Sequence, residues 1–169
     1  KSPKLLHLAT HGFYYTPNRA ENVDYLKGYT DAMSLSGLVL SGGNAAWLGK
    51  PLPKGVLGGI LSANDIARLD LSNTDMVVLS ACQTGQGKAT SEGLYGLQRA
   101  FKKAGVETIV MSLWNVSDKT TSEFMTTFYE CLADKTNAWN KRKAFEQAKQ
   151  IIRNKYPDPF HWAAFVMLD

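Results

Sequence analysis

Two runs constrain the architecture more than any other feature of the sequence. Met76-Val77-Val78-Leu79-Ser80-Ala81 and Thr108-Ile109-Val110-Met111-Ser112-Leu113-Trp114 are almost continuously apolar and rich in β-branched residues. They lack the alternation of a strand with one face in water, as expected for strands of a covered parallel sheet. Between them, Ser91-Glu92 opens a stretch in which Leu94, Leu97, Ala100, Phe101 and Ala104 recur at helical spacing up to a Gly105 stop. Ser117 then caps a helix carrying Phe124, Phe128, Tyr129 and Leu132, and a second amphipathic stretch covers about Asn140 to Asn154. Pro157-Asp158-Pro159 breaks that pattern, and Trp162 to Leu168 supplies a last strand. Strands alternating with helices predict an α/β domain with a mainly parallel sheet and helices on both faces.

Upstream, Leu5-Leu6-His7-Leu8-Ala9-Thr10 reads as a buried strand stopped by His11-Gly12. From Phe13 to about Gly59 the composition is polar and rich in Gly and Pro, with one apolar segment, Leu38-Val39-Leu40. This predicts a long surface excursion carrying a hairpin or edge strand. Ser62-Ala63-Asn64-Asp65 has the pattern of a capping box opening a short helix through Ile66 and Leu69. No internal repeat is visible.

Composition bounds the function. At 169 residues, 44% apolar and 11% aromatic, the chain has the content of one globular domain, which excludes disorder and low complexity. Its longest apolar runs fall far short of the roughly 20 residues that span a bilayer, so no membrane partner is expected. A net charge of +4 permits acidic partners without demanding nucleic acid. Two cysteines, Cys82 and Cys131, make neither a disulfide framework nor a zinc site and point to a reducing, cytoplasmic setting. The chain begins at Lys1 with a strand almost at once, and is expected to be part of a longer protein.

In open α/β sheets the working residues gather beyond the carboxyl ends of the strands, which here selects His11, Cys82 and the segment Asn115 to Asp118. A histidine and a cysteine at two such exits can share one crevice, as thiol catalysis requires. Spacing by itself favours the plainer reading, in which the cysteine is a small core residue and the histidine is solvated or hydrogen-bonded.

The strings His7-Leu8-Ala9-Thr10-His11-Gly12 and Val77-Val78-Leu79-Ser80-Ala81-Cys82-Gln83-Thr84-Gly85 resemble the signature of the CHAT domain, a caspase-like cysteine peptidase family related to separase. Ser36 to Asn44, Gly93-Leu94 through Ala104-Gly105, Ser112 to Asp118 and Trp162-Ala163-Ala164-Phe165 resemble the same family in the same order. The resemblance implies a caspase-hemoglobinase fold, with His11 as general acid and base, Cys82 as nucleophile, and the N–H groups of Gly12 and Cys82 as oxyanion hole, without a cofactor or metal. It also implies that sheet elements upstream of the histidine strand, on the same polypeptide or a separate chain, complete the domain, and that helical repeats or another sensor module accompany it. A protein is the expected substrate. A nucleic-acid-sensing complex in a bacterial defence system is one activator that the resemblance offers.

Trp114-Asn115-Val116-Ser117-Asp118 resembles the separase segment in which an aspartate lines the pocket for a basic side chain, so cleavage after Arg or Lys is expected, with Trp114 and Asn115 beside Asp118. A helix N-terminus explains Asp118 equally well, because a carboxylate there meets the helix dipole for about 0.3–1 kcal/mol. Core packing is the simpler role for Trp114. The rival from another class is a catalytically silent interaction module, which would need neither His11 nor Cys82.

Other features carry less. Gly85 to Thr90 has a superficial likeness to a phosphate loop, but Cys82 stands at the first glycine position and Ala89 follows the lysine, so a nucleotide site is rejected. Lys135, Lys141, Arg142, Lys143, Lys149, Arg153 and Lys155, with only Glu146 opposing them in that stretch, read as a solvated helix face before a nucleic-acid surface. Cys131 is expected in the core, His161 in a structural role, and His7 within a strand, buried against a partner.

Overall fold

The computed structural model describes residues 2–52, 54–55, 58–80 and 91–169, with Arg19 and residues 91–94 described by their backbone alone. The chain divides into two compact units, Lys1–Ile109 and Val110–Asp169.

The first unit runs through β1 (Leu5–Leu8), β2 (His11–Tyr14), α1 (Pro17–Ala20), β3 (Ser36–Val39), α2 (Gly43–Trp47), β4 (Ile60–Ser62), α3 (Ala63–Ile66), β5 (Met76–Leu79), α4 (Ser91–Lys103) and the start of β6 (Thr108–Ser112). β1 and β5 pair in parallel, Leu5 opposite Met76 and Leu8 opposite Leu79. β6 takes its place beside β5, where the Thr108 N–H donates to the Asp75 carbonyl at 3.1 Å. All four residues of β5 are buried, as an uninterrupted Met-Val-Val-Leu run requires. In α4 the helical spacing buries Leu97, Ala100 and Phe101, and Gly105 follows the helix at φ +101°, a conformation that favours glycine.

A second sheet lies where the sequence suggested a loop. β2, β3 and β4 form an antiparallel sheet in that order, with Gly12 opposite Leu38 and Leu38 opposite Leu61. His11 therefore opens a strand instead of ending one, and the Leu38 segment is the middle strand and not an edge. Glycine hides the pattern from a sequence reading. A Cβ on Gly37 would stand 2.5 Å from the Leu61 carbonyl oxygen and 2.8 Å from the Phe13 ring, so the residue that breaks the apolar run is the one that lets three strands close up. Phe13, Ala20, Leu26 and Leu35 fill the core below this sheet, with Tyr15, Val39, Trp47 and Ile60 against them.

The capping box at the start of α3 is present: Ser62 Oγ accepts the Asp65 N–H at 3.1 Å, and Asp65 Oδ2 accepts the Ser62 N–H at 3.2 Å. The helix is shorter than expected, ending at Ile66, with Leu69 exposed.

The second unit contains the end of β6, α5 (Asp118–Ala133), α6 (Lys141–Lys155) and β7 (Phe165–Leu168). Ser117 and Asn140 cap the two helices by accepting the N–H groups of Thr120 and Lys143. β7 lies beside β6, and the Leu113 N–H donates to the Ala164 carbonyl at 2.8 Å. The strand starts at Phe165 and not at Trp162, because a single 3₁₀ turn at Pro159–His161, capped by Asp158, occupies the preceding chain. Four phenylalanines form the core: Phe124 stacks on Phe165 at 3.9 Å, and Phe145 meets Phe124 and Phe128 edge-on at 5.5 and 5.9 Å. The architecture is thus α/β, with a parallel-rich sheet flanked by helices, compatible with a caspase-like fold. Among the described residues, no helix is long and apolar enough to cross a membrane.

Candidate active site

His11 is held through its neighbours. It begins β2 opposite Val39, and the hydroxyl of Thr10, one residue earlier, donates to the Val39 carbonyl oxygen. The chain between β1 and β2 is thereby tied to β3 immediately before the histidine, whose side chain is exposed. Gly12 is buried opposite Leu38. Both residues line a cavity of about 200 Å³. His7, in contrast, is half-buried within β1, its Nε2 lies 2.8 Å from Ser80 Oγ, and burial pushes its pKa below the ordinary value of 6.5. The structural role expected for it holds.

Cys82, with its N–H group, the loop to Thr90 and the rejected phosphate-loop match, lies outside the described residues. The frame leading to it is described. Leu8 and Leu79 are direct partners at the ends of β1 and β5. In sequence His11 follows Leu8 by the same three positions by which Cys82 follows Leu79.

A family model described as the CHAT domain matches residues 1–169, the whole chain. The chain belongs to that family. Two curated relatives are similar to it: tetratricopeptide repeat protein 28 of Mus musculus, 31% identical over 111 residues, and the protein of the same name from Homo sapiens, 30% identical over 111 residues. Each match covers 64% of this chain and 4% of the relative, so the CHAT domain spans a small fraction of the curated proteins it matches.

In the second unit of this CHAT domain, Trp114, Asn115 and Asp118 stand together on the segment that leads from β6 into α5. Trp114 is half-buried, its Nε1–H donates to the Phe160 carbonyl at 3.0 Å, and its ring lies 6.3 Å from that of Phe160. Asn115 and Asp118 are exposed. Asp118 is the first residue of α5 and its first-turn acid, as the helix-dipole reading requires. Thr10, Val39, Asn44 and Trp47 are site neighbours that sequence reasoning did not single out as functional. The signal available was the concentration of Phe13, Tyr14, Tyr15, Tyr25 and Trp47 in a stretch otherwise resembling a polar loop.

Cys131 is half-buried instead of fully in the core, and burial, then Glu130 and Asp134, push its thiol pKa up, so it is a poor source of thiolate. His161 packs against the Tyr156 and Phe160 rings at 5.1 and 5.9 Å. The basic stretch does not form one free surface. Lys155 pairs with Glu123 at 2.9 Å, Arg142 pairs with Asp169, Lys149 donates to the Phe165 carbonyl at 3.1 Å, and Arg153 lies over the Trp162 ring at 5.1 Å. The opposing carboxylates come from other elements, which a count along the helix misses. Among the described residues, no group of three or more His, Cys, Asp or Glu is placed to hold a metal ion.

Proposed function

We propose that this CHAT domain is a cysteine endopeptidase that cleaves a protein after a basic residue, with Cys82 as nucleophile and His11 as general acid and base. The observation that carries the reading is the parallel register of β1 and β5, in which the paired residues Leu8 and Leu79 each precede a member of the dyad by three positions. Neighbouring strands lie about 4.7–4.9 Å apart, so β1 and β5 end side by side at Leu8 and Leu79.

The chemistry follows from the residue types. The imidazole of His11 takes the proton of the Cys82 thiol, and the thiolate attacks the carbonyl carbon of the scissile bond. Charge moves onto the carbonyl oxygen, where the N–H groups of Gly12 and Cys82 are proposed to receive it. The C–N bond then breaks, His11 hands its proton to the departing amine, and a thioester remains. Water, deprotonated by His11, attacks the thioester and releases the acid and the thiol. Asp118 is proposed to bind the guanidinium or ammonium group before the cut, with Trp114 and Asn115 beside it.

The names of the two relatives are consistent with a repeat region on the same polypeptide, proposed here to complete the domain and govern its activity. A separate chain in that role is the other form of this proposal. Both relatives are mammalian, which lends the bacterial defence setting no support.

The same names favour a second reading, since they describe repeats and no hydrolysis. On it, the fold presents its crevice to a partner without cutting. Cleavage of a positional peptide library by the complete protein, its Cys82→Ala and His11→Ala variants, and each with candidate partners added, decides the matter by mass spectrometry of the products. Cuts after Arg or Lys that disappear in both variants are the expected result. A partner bound with no cut under any condition gives the interaction reading the field.

A further inference from the structure

We propose that the cavity walled by His11, Phe13, Tyr15, Val39, Asn44 and Trp47 is a specificity pocket that receives a bulky apolar side chain from the substrate segment following the scissile bond. This deepens the peptidase reading and rests on it for the side of the substrate involved.

The pocket is built around Trp47. Its ring meets Phe13 edge-on at 5.0 Å, Tyr15 at 5.5 Å and Tyr25 in a stacked arrangement at 6.2 Å, and it stays partly exposed. Three aromatic neighbours fix the ring without covering it. The short helix α2 that carries it sits close on the sheet because Gly43 has no side chain: a Cβ there would stand 2.6 Å from the Gly59 carbonyl oxygen and inside the Val39 side chain. The wall is therefore held by packing and by backbone contact.

Its chemistry selects the ligand. Among the described residues, the lining includes no carboxylate, lysine or arginine, and the aromatic rings and Val39 offer apolar surface, with Asn44 supplying one amide that can donate to or accept from a peptide backbone. A volume of about 200 Å³ far exceeds the roughly 30 Å³ share of one water molecule and admits a large side chain. The location selects the side of the substrate. The imidazole that gives its proton to the departing amine stands on the amine's side of the carbonyl, so a cavity sharing His11 and Gly12 faces the chain that begins with that amine.

The test uses the complete protein and peptides varied at the first two positions after the cut, with the remainder held constant. The rate with Phe, Leu or Trp divided by the rate with Gly is measured within each variant, so the ratio does not depend on how much protein is folded. A single methylene in a hydrophobic pocket is worth about 10- to 200-fold. The wild type is expected to favour the bulky residues at one of the two positions by about tenfold or more, Trp47→Ala to lose most of that preference, and Trp47→Phe to keep it. Val39→Phe, which fills the cavity, is expected to shift preference toward glycine. No preference at either position in the wild type, or a preference untouched by Trp47→Ala and Val39→Phe, overturns the proposal. If the wild type cuts nothing, the peptidase reading fails separately. Binding of the same peptides to Cys82→Ala, with and without Trp47→Ala, then decides the pocket: an apolar preference that needs Trp47 supports it, and binding indifferent to either change overturns it.

Discussion

His7 Nε2 and Ser80 Oγ lie 2.8 Å apart, a side-chain contact between β1 and the residue that follows β5. Burial lowers the His7 pKa from 6.5, so the folded state favours the neutral ring and the unfolded state binds a proton more readily. By linkage, stability is full above about pH 6.5 and falls as the pH drops from there through the lower folded pKa. Thermal melting between pH 8 and pH 5 is expected to show that decline, and His7→Gln, which keeps a hydrogen-bonding group without titrating, is expected to flatten it. An unchanged slope in His7→Gln would place the acid sensitivity elsewhere.

If His11 is the proposed general acid and base, Thr10 is placed to position it. Its hydroxyl donates to the Val39 carbonyl, and Val39 is the strand partner of His11 itself. Thr10→Val preserves shape and removes the bond, so the histidine backbone loses one of the ties that set its place. Misplacement of a catalytic group by about 1 Å can cost on the order of 10²-fold. The expectation is a fall in kcat of about tenfold with KM little changed, and recovery in Thr10→Ser. Equal loss in Thr10→Ser, or a change confined to KM, would argue against positioning.

The legibility of this fold in its sequence divides at glycine. Met76 to Leu79 and Thr108 to Ser112 announce themselves because burial on both faces leaves no polar interruption. Ser62 and Ser117 announce their helices because side-chain caps use local chemistry that a string of residues displays, and the helix after Asn140 announces itself by its amphipathic spacing. The antiparallel sheet stayed hidden because Gly37 stands in its middle strand for contacts with Phe13 and Leu61 that are distant in sequence. At the site, residue type and exit from a strand pointed to His11, while the tie through Thr10 and the aromatic wall at Trp47 depend on register between β2 and β3. The pairing of the basic helix with Glu123 and Asp169 is likewise a tertiary fact.

Phe124 is the keystone of the second unit, fully buried, stacked on Phe165 and edge-on to Phe145. Phe124→Ala removes a ring from a site with aromatic neighbours on more than one side, and such truncations cost about 3–5 kcal/mol. Phe124→Leu, which retains apolar volume, is expected to cost markedly less. Chemical denaturation followed by tryptophan fluorescence checks both, and a loss below about 1 kcal/mol in Phe124→Ala would show that the core collapses around the gap.

Asp118 separates two roles that the sequence left equal. As the first residue of α5 it meets the helix dipole, and Asp118→Asn, which removes the charge, is expected to cost about 0.3–1 kcal/mol in stability on that account alone. As the proposed pocket carboxylate it would also hold the basic side chain of the substrate through charge-assisted hydrogen bonds, which Asn cannot replace. The two roles differ in what they predict for specificity. A helix-dipole role changes the rate on Arg and on non-basic peptides alike, since both depend only on how much folded protein remains. A pocket role lowers the ratio of the two rates, by about tenfold or more, because only the basic substrate loses its partner. Exposure of the carboxylate leaves it accessible to an incoming side chain, so both effects are expected in the same variant. Melting temperature and the Arg to Gln rate ratio, measured together on Asp118→Asn and Asp118→Glu, distinguish them: a ratio unchanged in both variants confines Asp118 to the helix end and removes it from the proposed recognition of basic residues.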